Sequence, residues 1–196
     1  KGSRFSKKIP KQYYLYKGKE IIKHSVEKAL NSKLFNKIII VSESIKKIKN
    51  LKINKTIKVI KGGKERSDSS LKALKYIKKF KPKNVLIHDA SRPDFTIKLL
   101  KKLITQLKKN KAVVPILDPK DSVKYKIKNS ISNLDRSALF LTQTPQAFRF
   151  KDLYHLSLKM KNIITDEASI FIDSKHKIKF IKGEKQNIKI TYKDDL

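Results

Sequence analysis

The chain is predicted to fold as an α/β protein: a mostly parallel sheet covered by helices on both faces, with a β-arm projecting from it. Three observations lead there. Short β-rich runs alternate with helical runs along most of the chain, the pattern of a sheet whose strands are connected by helices. The alternation breaks once, at Asp121, into a hairpin pattern. Finally, Gly-containing polar clusters follow predicted strands, where open α/β sheets bind their ligands.

Taken in order, residues 19–30 read as a helix and residues 37–41 (Lys-Ile-Ile-Ile-Val) as a buried strand. A short helix over 44–51 and a strand over 56–60 follow, ending in Gly62-Gly63. Residues 67–80 read as a helix with apolar Leu71, Leu74 and Ile77. Residues 84–88 form a strand. In residues 96–110, Ile97, Leu100, Leu103, Ile104 and Leu107 make an apolar stripe, while Lys98, Lys101, Lys102, Lys108 and Lys109 occupy the remainder. That is an amphipathic helix. Residues 112–117 form the next strand. Residues 122–127 alternate, 128–130 are polar, and Ile131 and Leu134 resume the pattern. This predicts a hairpin with too few apolar residues to be buried on its own. Residues 150–161 and 165–173 read as helices, 177–181 and 187–190 as strands. In the last strand Ile188 and Ile190 should face one side and Lys189 the other. No internal repeat or linker composition appears, so residues 1–196 are read as a single domain with an arm at about 121–135. Both ends look cropped: the chain opens on a turn, Lys1-Gly2-Ser3-Arg4, with no strand before it.

The formal net charge is +32, which invites a nucleic-acid or anionic-membrane reading. Against this, only Arg4, Arg66, Arg92, Arg136 and Arg149 are arginines, and the planar fork of arginine is what nucleic-acid readers favour. The lysines are spread along the whole chain, and aromatics such as Phe35, Phe80 and Phe140 sit in apolar runs rather than among basic clusters. The lysine excess reads as composition, with weak polyanion binding expected on charge alone. There is no Cys, so disulfides and thiolate metal sites are excluded. No apolar run approaches a membrane span. The expected location is the cytoplasm of a bacterium, with a plastid-type organelle kept open.

Chemistry-bearing residues gather in clusters. Gly2-Ser3-Arg4 with Pro10-Lys11-Gln12 sets flexible backbone beside cations, as a triphosphate requires; the plainer reading is an N-terminal loop. Gly62-Gly63-Lys64-Glu65-Arg66-Ser67-Asp68-Ser69 closes a strand and opens a helix, and serves equally as a turn with an N-cap. His88-Asp89-Ala90-Ser91-Arg92-Pro93 also closes a strand. An Asp there can hold Mg²⁺ and an Arg a phosphate; a local Asp89–Arg92 ion pair and a core His88 are the plainer alternatives.

These clusters, together with Asp121-Ser122-x-Lys124, Asp135-Arg136, Gln143-Thr144-Pro145-Gln146-x-Phe148, Thr165-Asp166-Glu167-Ala168-Ser169 and Gly183-x-x-x-Asn187-Ile188-Lys189-Ile190-Thr191, run in order from end to end of the chain. The set resembles the 2-C-methyl-D-erythritol 4-phosphate cytidylyltransferase family. The resemblance implies a Rossmann-like three-layer α/β sandwich and a homodimer joined through the arm. It implies CTP and methylerythritol phosphate as substrates, Mg²⁺ as the divalent cation, and neither a specific nucleic acid nor a membrane as partner. By the same resemblance Arg4, Lys11 and Lys189 act on the reacting phosphates, and Gly2, Gly62, Lys64, Ser69 and Ala90 bind the nucleotide. Asp89, Arg92, Ser122, Arg136 and Thr144 hold the acceptor, some from the other subunit, and Asp89 is the candidate metal ligand. Ser122 stands where the family usually has Thr. A ribitol 5-phosphate cytidylyltransferase, a basic nucleic-acid-binding module, and one half of a bifunctional enzyme are the alternatives.

Overall fold

The computed structural model describes residues 9–51, 53, 57–160 and 165–196. In chain order its elements are β1 (Leu15–Tyr16), β2 (Lys19–Glu20), α1 (Ile21–Asn31), β3 (Ile39–Ser42), α2 (Ile45–Asn50), β4 (Lys58–Lys61), α3 (Arg66–Ile77) and β5 (Asn84–Ile87). Then come α4 (Ile97–Leu107), β6 (Ala112–Leu117), β7 (Lys124–Ile127), β8 (Ser130–Asn133), β9 (Leu141–Thr142), β10 (Gln146–Arg149), α5 (Phe150–Lys159), α6 (Glu167–Asp173) and β11 (Lys179–Lys182). The beginning of the 56–60 strand and the end of the 150–161 helix fall on Thr56 and Lys161, outside the described residues.

The central sheet has the order β11-β6-β10-β5, with β9 also on β6. The expectation of a mostly parallel sheet needs correction. β11 runs parallel to β6, and β3 parallel to β4. But β10 lies antiparallel between β5 and β6, and β9 is antiparallel to β6. Gln146-Ala-Phe-Arg carries no clear alternation, so a strand there was not anticipated. Its position between β5 and β6 makes it one, since its N–H and C=O groups find ladder partners on both sides.

Alternate strand residues feed two cores. Ala112 and Phe148 point to one face, where Leu74 of α3, Leu153 of α5 and Phe171 of α6 pack. Val113, Ala147 and Ile181 point to the other, onto Leu99, Leu100, Leu103 and Leu107 of α4. The result is helix–sheet–helix layering. In α4 the buried stripe follows the predicted spacing but includes Leu99, while Ile97 and Ile104 are half-buried and all five lysines are exposed. Each fully buried Leu contributes about 1.5–3 kcal/mol. Thr96 caps the helix, its side chain accepting from the Leu99 N–H. A third cluster packs Ile22 and Val26 of α1 on Ile40 of β3 and Ile48 of α2. Phe35 packs at the α4 core, but Phe80 and Phe140 are about 40% exposed. Their apolar runs did not bury them.

The hairpin is present as expected: β7 and β8 pair antiparallel from Lys124↔Asn133 to Ile127↔Ser130. All of its strand residues are exposed.

The 187–190 strand is not formed. Ile190 is fully buried whereas Ile188 is 45% exposed, so the expected two-sided alternation fails. The backbone here is held by other groups: the Ile190 N–H donates to the Ser91 carbonyl at 2.9 Å, and the Asn187 carbonyl accepts from Arg92 and Gln143.

Candidate active site

The site is built around the end of β5, which delivers His88 and Asp89. The Asp89 N–H donates to Thr144 Oγ1 at 3.0 Å. Asp89 Oδ1 accepts from Arg66 Nε at 3.1 Å, and Oδ2 accepts from Lys189 Nζ at 2.7 Å. Burial pushes the Asp89 carboxyl up, but the Arg66 and Lys189 cations more than offset this and hold it well below the usual carboxylate range. Arg66 in turn grips Glu167 with both terminal nitrogens, each at 2.8 Å. Burial opposes the Arg66 charge, and the two carboxylates outweigh it.

His88 is a half-buried histidine held by hydrogen bonds within the fold, which matches the plainer alternative. Burial pushes its imidazole down to about 4, so it is neutral near pH 7. Its Nε2–H donates to the Arg92 carbonyl at 3.0 Å, leaving Nδ1 to accept from the Thr144 hydroxyl at 3.2 Å. Thr144 therefore spends its proton on His88 and one lone pair on Asp89, and it can only accept from a ligand.

A cleft of about 310 Å³ opens beside Asp89. Lys11, Gln12, Ser42, Ala90, Ser91, Lys189 and Thr191 line it, over Ile22, Val41 and Ile48. Lys11 sits on a 3₁₀ turn and donates to the Ile190 carbonyl at 2.7 Å. Two cations thus enter one cleft from opposite ends of the sequence. The turn after β4 closes nearby: the Gly62 N–H donates to the carbonyl of Ser42 at 2.9 Å. A Cβ on Gly63 would lie 2.2 Å from the Asp68 Cβ, so only glycine lets the strand meet the first turn of α3 this closely. Glu65 and Asp68 form a capping box there.

Of the expected site residues, Lys11, Asp89, Ala90 and Lys189 come together in the cleft. Gly2 and Arg4 lie outside the described residues. Gly62 and Ser69 are on the adjoining turn, where Ser69 Oγ accepts from the Gly63 N–H and donates to the Glu65 carbonyl. Lys64 is exposed on the same turn. Thr144 touches Asp89 from behind. Arg92 donates to the carbonyls of Asn187 and Thr142, at 2.9 and 3.3 Å, with its Nε buried and unpaired; it makes no ion pair with Asp89 in this arrangement. Ser122 and Arg136 are exposed at the base of the arm. Arg136 donates to the Lys120 carbonyl at 2.7 Å and lines a separate open concavity of about 630 Å³ with Asp118, Pro119, Lys120, Asp135 and Ser137. Asp135 caps the next turn through Ser137 rather than pairing with Arg136.

Sequence reasoning assigned no role to Arg66, Glu167, Gln143 or Asn187. Arg66 and Glu167 carry the one available signal, being an arginine in a lysine-rich chain and one of few acids. Among the described residues no three His, Asp or Glu gather as a metal cage, and no helix is long and apolar enough to cross a membrane.

Comparison with known proteins identifies the family of the chain. The profile of the 2-C-methyl-D-erythritol 4-phosphate cytidylyltransferase family matches residues 1–196. The chain is 46% identical over 195 residues to a bifunctional enzyme IspD/IspF of Pelagibacter ubique, covering 98% of this chain and 52% of that protein. The chain therefore spans about half the length of that relative. It is 36% identical to a 2-C-methyl-D-erythritol 4-phosphate cytidylyltransferase of Thermosipho melanesiensis, covering 100% of this chain and 90% of the other. The crystal structure of 4-diphosphocytidyl-2C-methyl-D-erythritol synthase from Anaerococcus prevotii superposes with a TM-score of 0.83 at 29% identity, over 94% of this chain and 89% of that one.

Proposed function

The chain belongs to the 2-C-methyl-D-erythritol 4-phosphate cytidylyltransferase family, and on that footing we propose that it transfers CMP from CTP to 2-C-methyl-D-erythritol 4-phosphate, releasing pyrophosphate, in non-mevalonate isoprenoid precursor synthesis. The observation that carries this reading is the cleft in which Lys11 and Lys189 converge beside Asp89 at a strand end. A phosphate oxygen of the acceptor attacks the α-phosphorus of CTP, the bond to the β-phosphate oxygen breaks, and pyrophosphate departs. No side-chain nucleophile is needed. The protein's work is alignment and neutralisation of charge on the reacting oxygens, by Lys11 and Lys189, with Arg4 assigned the same role by family resemblance. The turn at Gly62 to Ser69 and the backbone at Ala90 are the proposed base and ribose contacts. Asp89 is proposed to face the acceptor, with Thr144 and Arg92, given the same role by family resemblance, set behind it, and Ser122 and Arg136 supplied by a second subunit.

Mg²⁺ belongs to the same proposal. Among the described residues, Asp89 is the one carboxylate lining the cleft. Such a donor set suits a cation that keeps its waters and takes its other ligands from the triphosphate. Bound there, Mg²⁺ would neutralise phosphate charge. A homodimer is proposed through the exposed arm. A cytoplasmic location is proposed from the bacterial sources of the relatives.

The test is pyrophosphate release with CTP, Mg²⁺ and 2-C-methyl-D-erythritol 4-phosphate, run beside ribitol 5-phosphate as acceptor and ATP as donor. Turnover should require methylerythritol phosphate and CTP, because a site that hydrogen-bonds one base edge leaves groups unpaired with another. Equal rates with ribitol 5-phosphate or with ATP would overturn the assignment.

A further inference from the structure

We propose that Arg66 is a positioning residue for the reaction: a strut braced by Glu167 that sets Asp89 and, through Asp89, the ammonium of Lys189. This rests on the reading of the cleft as a phosphoryl-transfer site. Four charges alternate in sign along one line, Glu167, Arg66, Asp89 and Lys189. They run from a side chain 1% exposed to one 43% exposed at the cleft. Each comes from a different part of the fold: the start of α6, the start of α3, the loop after β5 and the C-terminal segment.

The bonding leaves Arg66 little freedom. Both terminal nitrogens hold the two oxygens of Glu167, and Nε holds Asp89 Oδ1. Three contacts from one planar group fix its rotation, which a lysine ammonium cannot do. Glu167 is itself fixed by Ser70 Oγ, which donates to Oε1 at 2.6 Å. On the other side Asp89 is anchored by its backbone on Thr144, so its carboxylate is held at both ends before Lys189 docks on Oδ2. A long lysine side chain at a half-exposed position loses rotamer freedom only if something holds it, and Asp89 is that holder.

Stability alone does not account for the arrangement. Burying Glu167 carries a desolvation cost that its pairing with Arg66 at best repays, and well-packed apolar residues do as well or better in such places. Placing Lys189 within a fraction of an ångström does account for it, because an error of about 1 Å at a reacting centre costs about 10²-fold.

The experiment is a kinetic double-mutant cycle with Arg66→Lys and Lys189→Ala, repeated with Glu167→Gln in place of Arg66→Lys. Thermal unfolding of each chain is measured alongside. We expect Arg66→Lys to lower kcat by about 10²-fold while KM for CTP changes less than about threefold and the unfolding temperature stays near wild type. We also expect the pair with Lys189→Ala to lose no more than Lys189→Ala alone, since both act through one group. Multiplying losses, wild-type kcat in the folded variant, or failure of both Arg66→Lys and Glu167→Gln to fold would each overturn the proposal; the last would assign the pair to stability. If the wild-type chain releases no pyrophosphate, it is the functional reading that fails. A crystal structure of Arg66→Lys then decides the strut independently: Asp89 and Lys189 unmoved would overturn it, and a displaced Lys189 would support it.

Discussion

The corner around Asp89 and the arm around Ile131 are opposite kinds of structure. In the corner almost every polar group is answered from within the chain. Glu167 is met by Arg66 and Ser70, Asn187 by Thr144, Arg92 and Gln143, and Asp166 by Thr142, Gln146 and Ser169. In the arm all eight strand residues are exposed, with Tyr125, Ile127 and Ile131 showing 52%, 51% and 69% of their surface. A two-stranded hairpin is marginal in water when isolated, and apolar groups left out in this way call for a covering surface. The corner satisfies its polar groups within one chain except at Arg92 Nε and Asn187 Oδ1; the arm makes physical sense against another chain, which is why a dimer is proposed through it.

The largest expected effect tests whether the arm serves a neighbour. Arg136→Ala should abolish activity although Arg136 lines no part of the described cleft. Mixed with a Lys11→Ala chain and allowed to exchange subunits, it should regain activity toward half of wild type, because one site of the mixed dimer then carries no lesion. No recovery, with exchange shown independently, would place Arg136 in its own subunit's site. Next in size is the corner itself. Lys189→Ala should lower kcat by about 10²–10³-fold with little change in unfolding temperature, as Lys189 is half-exposed; near-wild-type turnover would make it an ordinary surface lysine.

A smaller effect tests whether the corner is closed by its own bonds. Burial pushes Asp166 up, but bonds from Gln146, Ser169 and Thr142 hold it below the usual carboxylate range. A folded-state value below the unfolded one gives stability present above about pH 4 and lost as pH falls further. Asp166→Asn should cost about 1–3 kcal/mol at pH 7. In denaturant titrations the gap from wild type should narrow below pH 4; a gap constant with pH would remove the charge from the explanation. The smallest effect returns to the arm. Ile131→Lys should change the stability of the fold by less than about 0.5 kcal/mol while shifting the solution mass from dimer toward monomer. Sedimentation showing an unchanged dimer would mean that the covering surface lies elsewhere.

Much of this was legible in the residues themselves. The spacing of Leu100, Leu103 and Leu107 announced α4, the run Ala112–Leu117 its strand, and the polar turn between Ile127 and Ser130 the hairpin, because those patterns are set by the local period of side chains. The ordered motifs announced the family and brought Lys11, Asp89, Ala90 and Lys189 forward as one site. Where a segment's partners lie far along the chain, the same reasoning ran out. Nothing within Gln146-Ala-Phe-Arg says that it will be inserted antiparallel between β5 and β6. Nor does Asn187-Ile-Lys-Ile say that its backbone will be claimed by Ser91, Arg92 and Gln143 instead of a ladder.

From sequence alone came most kinds of element, the candidate residues for phosphate chemistry, and the expectation that the arm needs a partner surface. The tertiary structure decided which of those residues meet, and what each is left free to do once it has met them. Arg66 and Glu167 are 101 positions apart, and Lys189 and Asp89 are 100 apart. No local period or propensity encodes such pairings, because they exist only after burial has withdrawn water and made each charge seek the nearest opposite one.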